Sequence, residues 1–177
     1  MARLRLVRPA HAWLAAALGL ALAGCSAAPG TAAVVDGERI TVDDVNEAAA
    51  DYEAISGQDV LPAAVAYSLV DARFINDVAA DHGVAFSDAQ VADFFAEQAA
   101  AAGGQMPADG LSDAFLELGR SLMISANLGA GESTETIVED YSAARQAADV
   151  EMNPRYGQLV DGQLAPVTHE WLVGSGA

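Results

Sequence analysis

The sequence predicts a mainly α-helical fold of about five helices, with a small β element formed by an N-terminal hairpin and a late returning strand. Apolar residues recur at spacings of three and four through most of the chain after Thr41. Capping residues and glycines separate these helical segments. Short segments near residues 32–41 and 150–157 instead have the composition of strands. A chain of this length is sufficient for one ordinary domain with its own core.

The N-terminal segment has the pattern of a secretory signal. Arg3, Arg5 and Arg8 precede an uncharged run from Ala10 to Leu22 that is dominated by alanine and leucine. A basic start followed by a short apolar run is typical of signal peptides. This run is shorter than the roughly 20 apolar residues that cross a bilayer. We therefore expect export without a transmembrane anchor.

The only cysteine of the chain follows this run, in the sequence Leu22-Ala23-Gly24-Cys25. These four residues resemble the lipobox of bacterial lipoproteins, an aliphatic residue and two small residues before cysteine. The resemblance implies a signal peptide over residues 1–24 and lipidation of the Cys25 thiol by diacylglyceryl. It implies anchoring to the extracytoplasmic side of the cell membrane, with residues 25–31 as a short linker. The alternative is a chance cysteine in an ordinary signal peptide.

The segment after the signal is strongly acidic. All 25 acidic residues but only five arginines follow Cys25, a net charge of −20, and the chain contains no lysine. Such a surface repels nucleic acid and anionic lipid headgroups, so we expect no nucleic-acid partner and membrane contact only through the lipid. Because no second cysteine is available for an internal disulfide, the fold must depend on its apolar core.

The first elements of the domain are a hairpin and a helix. The segment AAVVDGERIT predicts two strands joined at Asp36-Gly37, a dipeptide that favours a two-residue turn. Thr41 is a suitable N-cap, and acidic residues follow it in the first turn of the predicted helix. We expect this helix to end near Ser56-Gly57.

The next segment predicts a central, largely buried helix. Its apolar residues form a broad stripe, consisting of Ala63, Ala66, Tyr67, Leu69, Val70, Phe74, Ile75 and Val78. His82-Gly83-Val84 has the composition of a helix end. Ser87 and Gln90 form a capping box for a third helix. The predicted inner face of that helix consists of Val91, Phe94 and Phe95.

Two more helices follow the loop from Gly103 to Gly110, in which Pro107 interrupts any helix. The stripe predicted for the fourth helix is Leu111, Phe115, Leu118 and Leu122. The fifth helix begins after Gly129-Ala130-Gly131, and its stripe is Ile137, Tyr141, Ala144 and Ala148.

The last part of the domain returns to a strand pattern. Val150 to Gly157 alternates and contains Pro154, which is typical of a short edge strand. Its only candidate partner is the opening hairpin, so we expect the two ends of the domain, residues 32–157, to meet. The tail over residues 158–177 has no clear period and is predicted to be irregular or partly packed.

The order of these segments resembles a known chaperone family. The hairpin VVDGERIT, the helix VDDVNEA, the run SLVDARFINDVAADHGVAFSDAQVADFFAEQ and the late DVEMNPRYG carry the resemblance. Together they are similar to the N-terminal domain of SurA and trigger-factor-like folding factors, in the form found in actinobacterial lipoproteins. The resemblance covers residues 32–157 and implies a helical domain that binds unfolded polypeptide, with a final strand returning to the first hairpin.

The sequence departs from this family in one respect, because it has no room for a parvulin-type prolyl isomerase module. After Cys25 the only histidines are His82 and His169, and His82 is explained by its place at a helix C-terminus. The sequence also contains no CxxC, HExxH or GxSxG motif and, without lysine, no phosphate-binding P-loop. We therefore predict a protein that is not an enzyme and has no cofactor and no metal. The acidic residues Asp43, Asp44 and Glu47 fit a helix start better than a cation site.

The sequence therefore favours a chaperone-like protein whose apolar groove binds unfolded or extended polypeptide outside the membrane. Large or flexible apolar side chains are the candidates for such a groove, namely Phe94, Phe95, Met106, Met123, Met152 and Trp171. Core packing is the alternative role for each of them. The alternative function is a non-catalytic partner lipoprotein of a specific envelope complex. An enzyme with an unrecognised site is a third possibility.

Overall fold

The computed structural model describes residues 29–128, 134–160 and 163–165 of the 177-residue chain. The predicted signal peptide, Cys25 and Trp171 lie outside this part. Within it the chain forms five helices and a three-stranded antiparallel sheet, and a separate two-stranded hairpin follows. The predicted fold class, mainly α with a small β element, is confirmed.

The three-stranded sheet joins the two ends of the domain. Its strands are β1 (Thr31–Val35), β2 (Glu38–Thr41) and β3 (Val150–Met152), in the order β2-β1-β3. Asp36 and Gly37 connect β1 to β2 with φ angles of 49° and 84°. Both angles are left-handed, as a two-residue hairpin turn that matches the strand twist requires. The predicted return of the late strand to the first hairpin is also confirmed.

Hydrogen bonds beyond the strand ladder hold this closure at both ends. The Asn153 backbone N–H donates to the Ala32 carbonyl at 2.9 Å, and the Asn153 side-chain amide donates to the Thr31 carbonyl at 2.8 Å. At the other end, the Asp36 N–H donates to the Asp149 carbonyl at 2.8 Å, and the Asp149 N–H donates to Asp36 Oδ1 at 2.9 Å. These hydrogen bonds hold together two segments that are over a hundred residues apart in the sequence.

The five helices begin and end close to the residues that the sequence predicts. They are α1 (Val42–Ser56), α2 (Pro62–Asp81), α3 (Asp88–Ala102), α4 (Asp113–Leu128) and α5 (Thr134–Ala147). In the capping box of α1, the Asp44 N–H donates to Thr41 Oγ1 at 3.0 Å, and the Thr41 N–H donates to Asp44 Oδ2 at 2.7 Å. Ser87 and Gln90 form the same box at α3. Gly57 ends α1 in the left-handed conformation.

The core lies around α2, which packs against α1, α4 and α5 and beneath the sheet. Its largest fully buried side chains are Phe115, Ile40, Leu69, Ile124 and Ile137. A smaller cluster of Ile75, Ala79, Ile124 and Ile137 connects α2, α4 and α5. The described part of α5 buries Ile137 alone, so this helix is the most peripheral of the five.

The prediction that Leu122 belongs to the buried stripe of α4 is wrong, because its side chain is 45% exposed. Six residues of α4 are buried, namely Ala114, Phe115, Leu118, Gly119, Ser121 and Ile124, and four of them, from Phe115 to Ile124, follow one another in steps of three. Because an α-helix has 3.6 residues per turn, a stripe in steps of three winds around the helix axis. It follows α4 from its contact with α1 and α3 to its contact with α2 and α5. This winding leaves the Leu122 side chain on the outer surface.

A second hairpin follows the domain, in the tail that was predicted to be irregular or partly packed. Strands β4 (Gln158–Val160) and β5 (Gln163–Ala165) pair antiparallel with Val160 opposite Gln163. The sequence between them is Asp161-Gly162, the same dipeptide that joins β1 to β2. The sequence analysis did not predict this hairpin, although the dipeptide is a known indicator of one. In the part of the chain that the structure describes, no helix is long and apolar enough to cross a membrane.

Candidate functional site

An open cavity of about 260 Å³ lies between the C-terminal end of α1, helix α3 and helix α4. We call it the aromatic groove. Its apolar lining consists of Tyr52, Ile55, Phe94, Phe95, Ala102, Phe115 and Leu122, and Ser56 and Gln98 add polar atoms. Among the described residues, none with a charged side chain lines this groove.

Three phenylalanine rings form one wall of the aromatic groove. The centroids of Phe94 and Phe95 are 5.1 Å apart at an interplanar angle of 90°, and those of Phe95 and Phe115 are 4.9 Å apart at 73°. Phe115 is fully buried and Phe95 is 8% exposed, whereas Phe94 is only partly buried. Edge-to-face contacts of this kind favour a fixed ring geometry. Phe94 is therefore the most exposed of the three rings, and the other two pack behind it.

The distance between the walls of the aromatic groove is set by buried polar contacts. On α1, the Asp51 carboxylate accepts hydrogen bonds from the Ser112 N–H at 2.8 Å and from the Ser112 hydroxyl at 2.7 Å. The Ser112 Oγ in turn accepts from the Phe115 N–H at 3.2 Å, in the first turn of α4. On the other side, the Gln105 N–H donates to the Ala54 carbonyl at 2.8 Å and ties the loop after α3 to α1.

A second groove, of about 370 Å³, lies between α2, α4 and α5. We call it the tyrosine groove, because Tyr67 and Tyr141 line it together with Leu118, Leu122 and Val138. Burial, and secondarily the charge of Asp71, raise the pKa of the Tyr141 hydroxyl above its usual value, so the phenol is neutral at physiological pH.

Asp71, the charged residue in the described lining of the tyrosine groove, is compensated. The Asp71 carboxylate accepts a 2.8 Å hydrogen bond from Arg145 Nε. The Arg145 guanidinium also lies 5.8 Å from the Tyr67 ring centroid and 5.4 Å from the Phe74 ring centroid, within the range of cation–π attraction. This groove therefore combines an apolar surface with a neutralised carboxylate.

Leu122 lines both grooves and forms the ridge between them. Its side chain is 45% exposed, and Val138 on the far side of the tyrosine groove is 50% exposed. We call the two grooves and this ridge the apolar face. Exposed large apolar side chains beside open concavities are typical of surfaces that bind a partner.

A third concavity, of about 440 Å³, lies where the β1–β2 turn faces α2 and the end of α5. It is the largest of the three, but it is lined by charged groups. Arg73 donates to Glu38 Oε2 at 2.7 Å, and Arg73 Nε lies 3.5 Å from Glu117 Oε1. Burial raises the pKa of the Glu117 carboxyl above its usual value, although Arg73 opposes this effect. Of the charged residues that line this concavity, Arg73 and Glu38 form an ion pair with each other, and Asp36 and Asp77 add two further carboxylates.

The structure brings together only two of the six candidate residues from the sequence. Phe94 and Phe95 lie side by side in the aromatic groove. The three methionines, Met106, Met123 and Met152, are half-buried against the core and line none of the three concavities. Trp171 lies outside the described residues.

The other residues that line the two grooves are not among the candidates that the sequence indicates. Tyr52 and Tyr67 have helical spacing, so the apolar pattern assigned them to inner stripes. Leu122 was likewise assigned to a buried stripe. These residues differ from core residues because they lie at the borders of the contacts between helices. The helical spacing of apolar residues does not show which of them lie at such a border.

The described residues contain no group of three or more His, Cys, Asp or Glu side chains placed to hold a metal ion. His82, predicted to interact with the α2 dipole, is the C-cap residue of that helix. Its Nε2 also lies 2.8 Å from Asp140 Oδ2 of α5, at the protein surface. This pair connects α2 to the peripheral helix and does not line either apolar groove.

Comparisons of this chain with protein-family models, with curated proteins and with solved structures found no match. The resemblance to SurA-like chaperone domains therefore stays a prediction from the sequence.

Proposed function

We propose that this chain is an exported, lipid-anchored, chaperone-like protein that binds unfolded or extended polypeptide at the outer face of the cytoplasmic membrane. The observation that carries the proposal is the apolar face, in which two adjacent open grooves share the exposed side chain of Leu122. Adjacent apolar grooves suit a ligand with several apolar side chains along one chain, which is the character of an unfolded segment. The proposed role is binding, without catalysis.

The size of the grooves is consistent with weak and reversible binding. Each groove accommodates about one large apolar side chain, and burial of such a side chain contributes about 1.5–3 kcal/mol. Two anchored side chains then contribute about 3–6 kcal/mol, which corresponds to dissociation constants of roughly 40 μM to 6 mM before the ordering of the ligand is subtracted. A folding factor that must release its client requires affinity of this order.

The position of the aromatic groove along α1 also supports the proposal. The Val42 N–H, at the start of α1, donates to the Gly30 carbonyl at 2.8 Å, so the chain enters the domain at that end of the helix. Tyr52 and Ser56 lie near the other end, about 15–20 Å further along at 1.5 Å per residue. Cys25 precedes Gly30 by a segment of at most about 17 Å. A lipid on Cys25 would hold the groove within roughly 40 Å of the bilayer.

Aggregation suppression tests this proposal with a matched pair of variants. The test protein is the chain from residue 25 with Cys25→Ser, so that no acyl group is attached. Leu122→Ser removes the exposed leucine that both grooves share, and Leu61→Ser removes a leucine that is 74% exposed and lines neither of them. We expect the parent protein and Leu61→Ser to suppress aggregation of a chemically unfolded model substrate. Leu122→Ser should suppress it several-fold less.

Two results contradict the proposal. A parent protein without any effect on aggregation excludes chaperone-like binding. Equal activity of the Leu122→Ser and Leu61→Ser proteins excludes the apolar face as the binding surface.

A second candidate function is a partner lipoprotein of one envelope complex, and the rigid lining of the aromatic groove favours it. The phenylalanine rings are fixed by edge-to-face contacts, and the flexible methionines that a promiscuous surface would use lie elsewhere. This function predicts a single stoichiometric partner in a pull-down from envelope extracts and no suppression of aggregation. The chaperone-like function predicts many substoichiometric clients.

A further inference from the structure

The charges on the helices around the aromatic groove have a single sign. Helices α1 and α3 contain eight acidic residues and no basic residue. The one basic residue of α4, Arg120, donates a 2.5 Å hydrogen bond to Asp88 at the start of α3 and is therefore engaged. The apolar lining thus lies between two helices that carry negative charge and a third whose cation is neutralised.

Two of these carboxylates lie next to the groove lining. Glu53 precedes the lining residue Ser56 by three positions, and Glu97 follows the lining residue Phe94 by three. Residues three apart on a helix are neighbours on its surface. Both glutamates are exposed, and within the described residues no arginine forms an ion pair with either. In the tyrosine groove, by contrast, Arg145 compensates Asp71.

We infer that the aromatic groove selects apolar polypeptide segments that are flanked by lysine or arginine. The apolar side chains occupy the groove between Tyr52 and Phe94, and the flanking cations lie against Glu53 and Glu97. Segments flanked by acidic residues are repelled by the same carboxylates and by the net charge of −20 after Cys25. This inference names the ligand class of the proposed function and rests on it.

The expected selectivity is modest and depends on salt. Two exposed ion pairs of ordinary strength give roughly two- to thirtyfold tighter binding. Because the pairs are exposed, salt should reduce this difference as the screening length falls from about 10 Å at 0.1 M to about 3 Å at 1 M.

The test uses three fluorescent peptides that share one core of leucine and phenylalanine and differ only in their flanks. The flanks are paired lysines, paired serines or paired glutamates. Dissociation constants are measured at low and at high ionic strength with the Cys25→Ser chain from residue 25. We expect the lysine-flanked peptide to bind roughly two- to thirtyfold more tightly than the serine-flanked one at low salt. The glutamate-flanked peptide should bind most weakly, and the three values should converge at high salt.

Variants in which glutamate is replaced by glutamine then show which carboxylates cause the tighter binding of the lysine-flanked peptide. Glu53→Gln with Glu97→Gln should remove the advantage of the lysine-flanked peptide and leave the serine-flanked peptide unchanged. The control is Glu47→Gln with Glu151→Gln, which removes the same charge from exposed positions that line none of the three concavities. Equal losses in the two double variants would show a general effect of net charge and overturn the inference.

The outcomes separate this inference from the function on which it rests. Equal binding of all three peptides by the parent protein overturns the charge selectivity and leaves the binding function intact. Absence of binding by all three peptides, at either ionic strength, overturns the proposed function itself.

Discussion

Asp51 and Ser112 form a two-fold contact between α1 and the start of α4, in which one carboxylate oxygen accepts from both the Ser112 N–H and the Ser112 hydroxyl. Asp51 is 8% exposed, so these bonds replace hydration that the carboxylate has lost. Tyr52, which directly follows Asp51, and Phe115, which lies three residues after Ser112, both line the aromatic groove. This buried polar contact therefore positions two walls of the proposed site.

We expect Asp51→Ala to destabilise the fold by about 1–3 kcal/mol, because it leaves the partly buried Ser112 N–H without its acceptor and removes hydrogen bonds to a charged group. Asp93→Ala, at an exposed position in the middle of α3, is the matched control and should change stability by less than about 0.5 kcal/mol. Urea unfolding monitored by circular dichroism measures both. A loss of similar size in the two variants would contradict the structural role of Asp51.

Gly104 is required for a close approach between the loop after α3 and the end of α1. A Cβ atom at this position would lie 2.0 Å from the Ile55 carbonyl oxygen, a backbone atom that cannot move independently. At the neighbouring Gly103, where φ is 75°, a Cβ would meet open space, so its substitution costs only the left-handed strain of about 1–2 kcal/mol. We expect Gly104→Ala to lower the unfolding midpoint in urea more than Gly103→Ala does. The reverse order would show that the loop does not lie against α1.

The raised pKa of Glu117 gives a signed prediction for pH. A carboxyl with a raised pKa in the folded state contributes stability below its ordinary pKa of 4.5, and this contribution is lost as pH rises through the folded-state pKa. Glu117→Gln imitates the protonated form. The stability of this variant relative to the parent protein should therefore increase as pH is raised from about 4 to 7.

Thermal unfolding between about pH 4 and pH 7 measures the difference in stability between Glu117→Gln and the parent protein. Glu139→Gln, at an exposed position of α5, corrects for the change in net charge. A relative stability of Glu117→Gln that decreases with rising pH would mean that pairing with Arg73 outweighs the burial of the carboxyl.

Lipidation makes Cys25 the point of membrane attachment in the proposed function. Cys25→Ala should release the protein from the membrane fraction or leave the precursor uncleaved at this site. Ser26→Ala, the adjacent substitution, should leave both processing and fractionation unchanged. An unaltered membrane fraction in the Cys25→Ala strain would contradict acylation at this residue.

Much of the fold was predictable from local sequence chemistry. The capping boxes at Thr41 and Ser87, the left-handed end of α1 at Gly57 and the turn at Asp36-Gly37 depend on neighbouring residues only. The pairing of β3 with β1 was also predictable, since the late strand had no other candidate partner. Short-range hydrogen bonding decides the caps and the turn, so composition reveals them, whereas the pairing of β3 with β1 joins distant segments and follows by elimination.

The apolar face was predictable only in part. Phe94 and Phe95 were named as candidates, but their contact with α1 and α4 depends on how the helices cross. The stripe of α4 winds in steps of three, so a regular helical period misassigns Leu122 to the core. Buried contacts such as that between Asp51 and Ser112 join residues 61 positions apart, and no local pattern indicates them.

The central claim is that the apolar face binds apolar polypeptide, and amide NMR spectra recorded during a peptide titration test it most directly. The probe is the lysine-flanked peptide, added to the Cys25→Ser chain from residue 25. The account predicts concentration-dependent shifts at Tyr52–Ser56, Phe94–Ala102 and Leu118–Leu122, and the loss of these shifts in Leu122→Ser but not in Leu61→Ser. Shifts confined to the charged concavity around Arg73, or no shifts at saturating peptide, would contradict it.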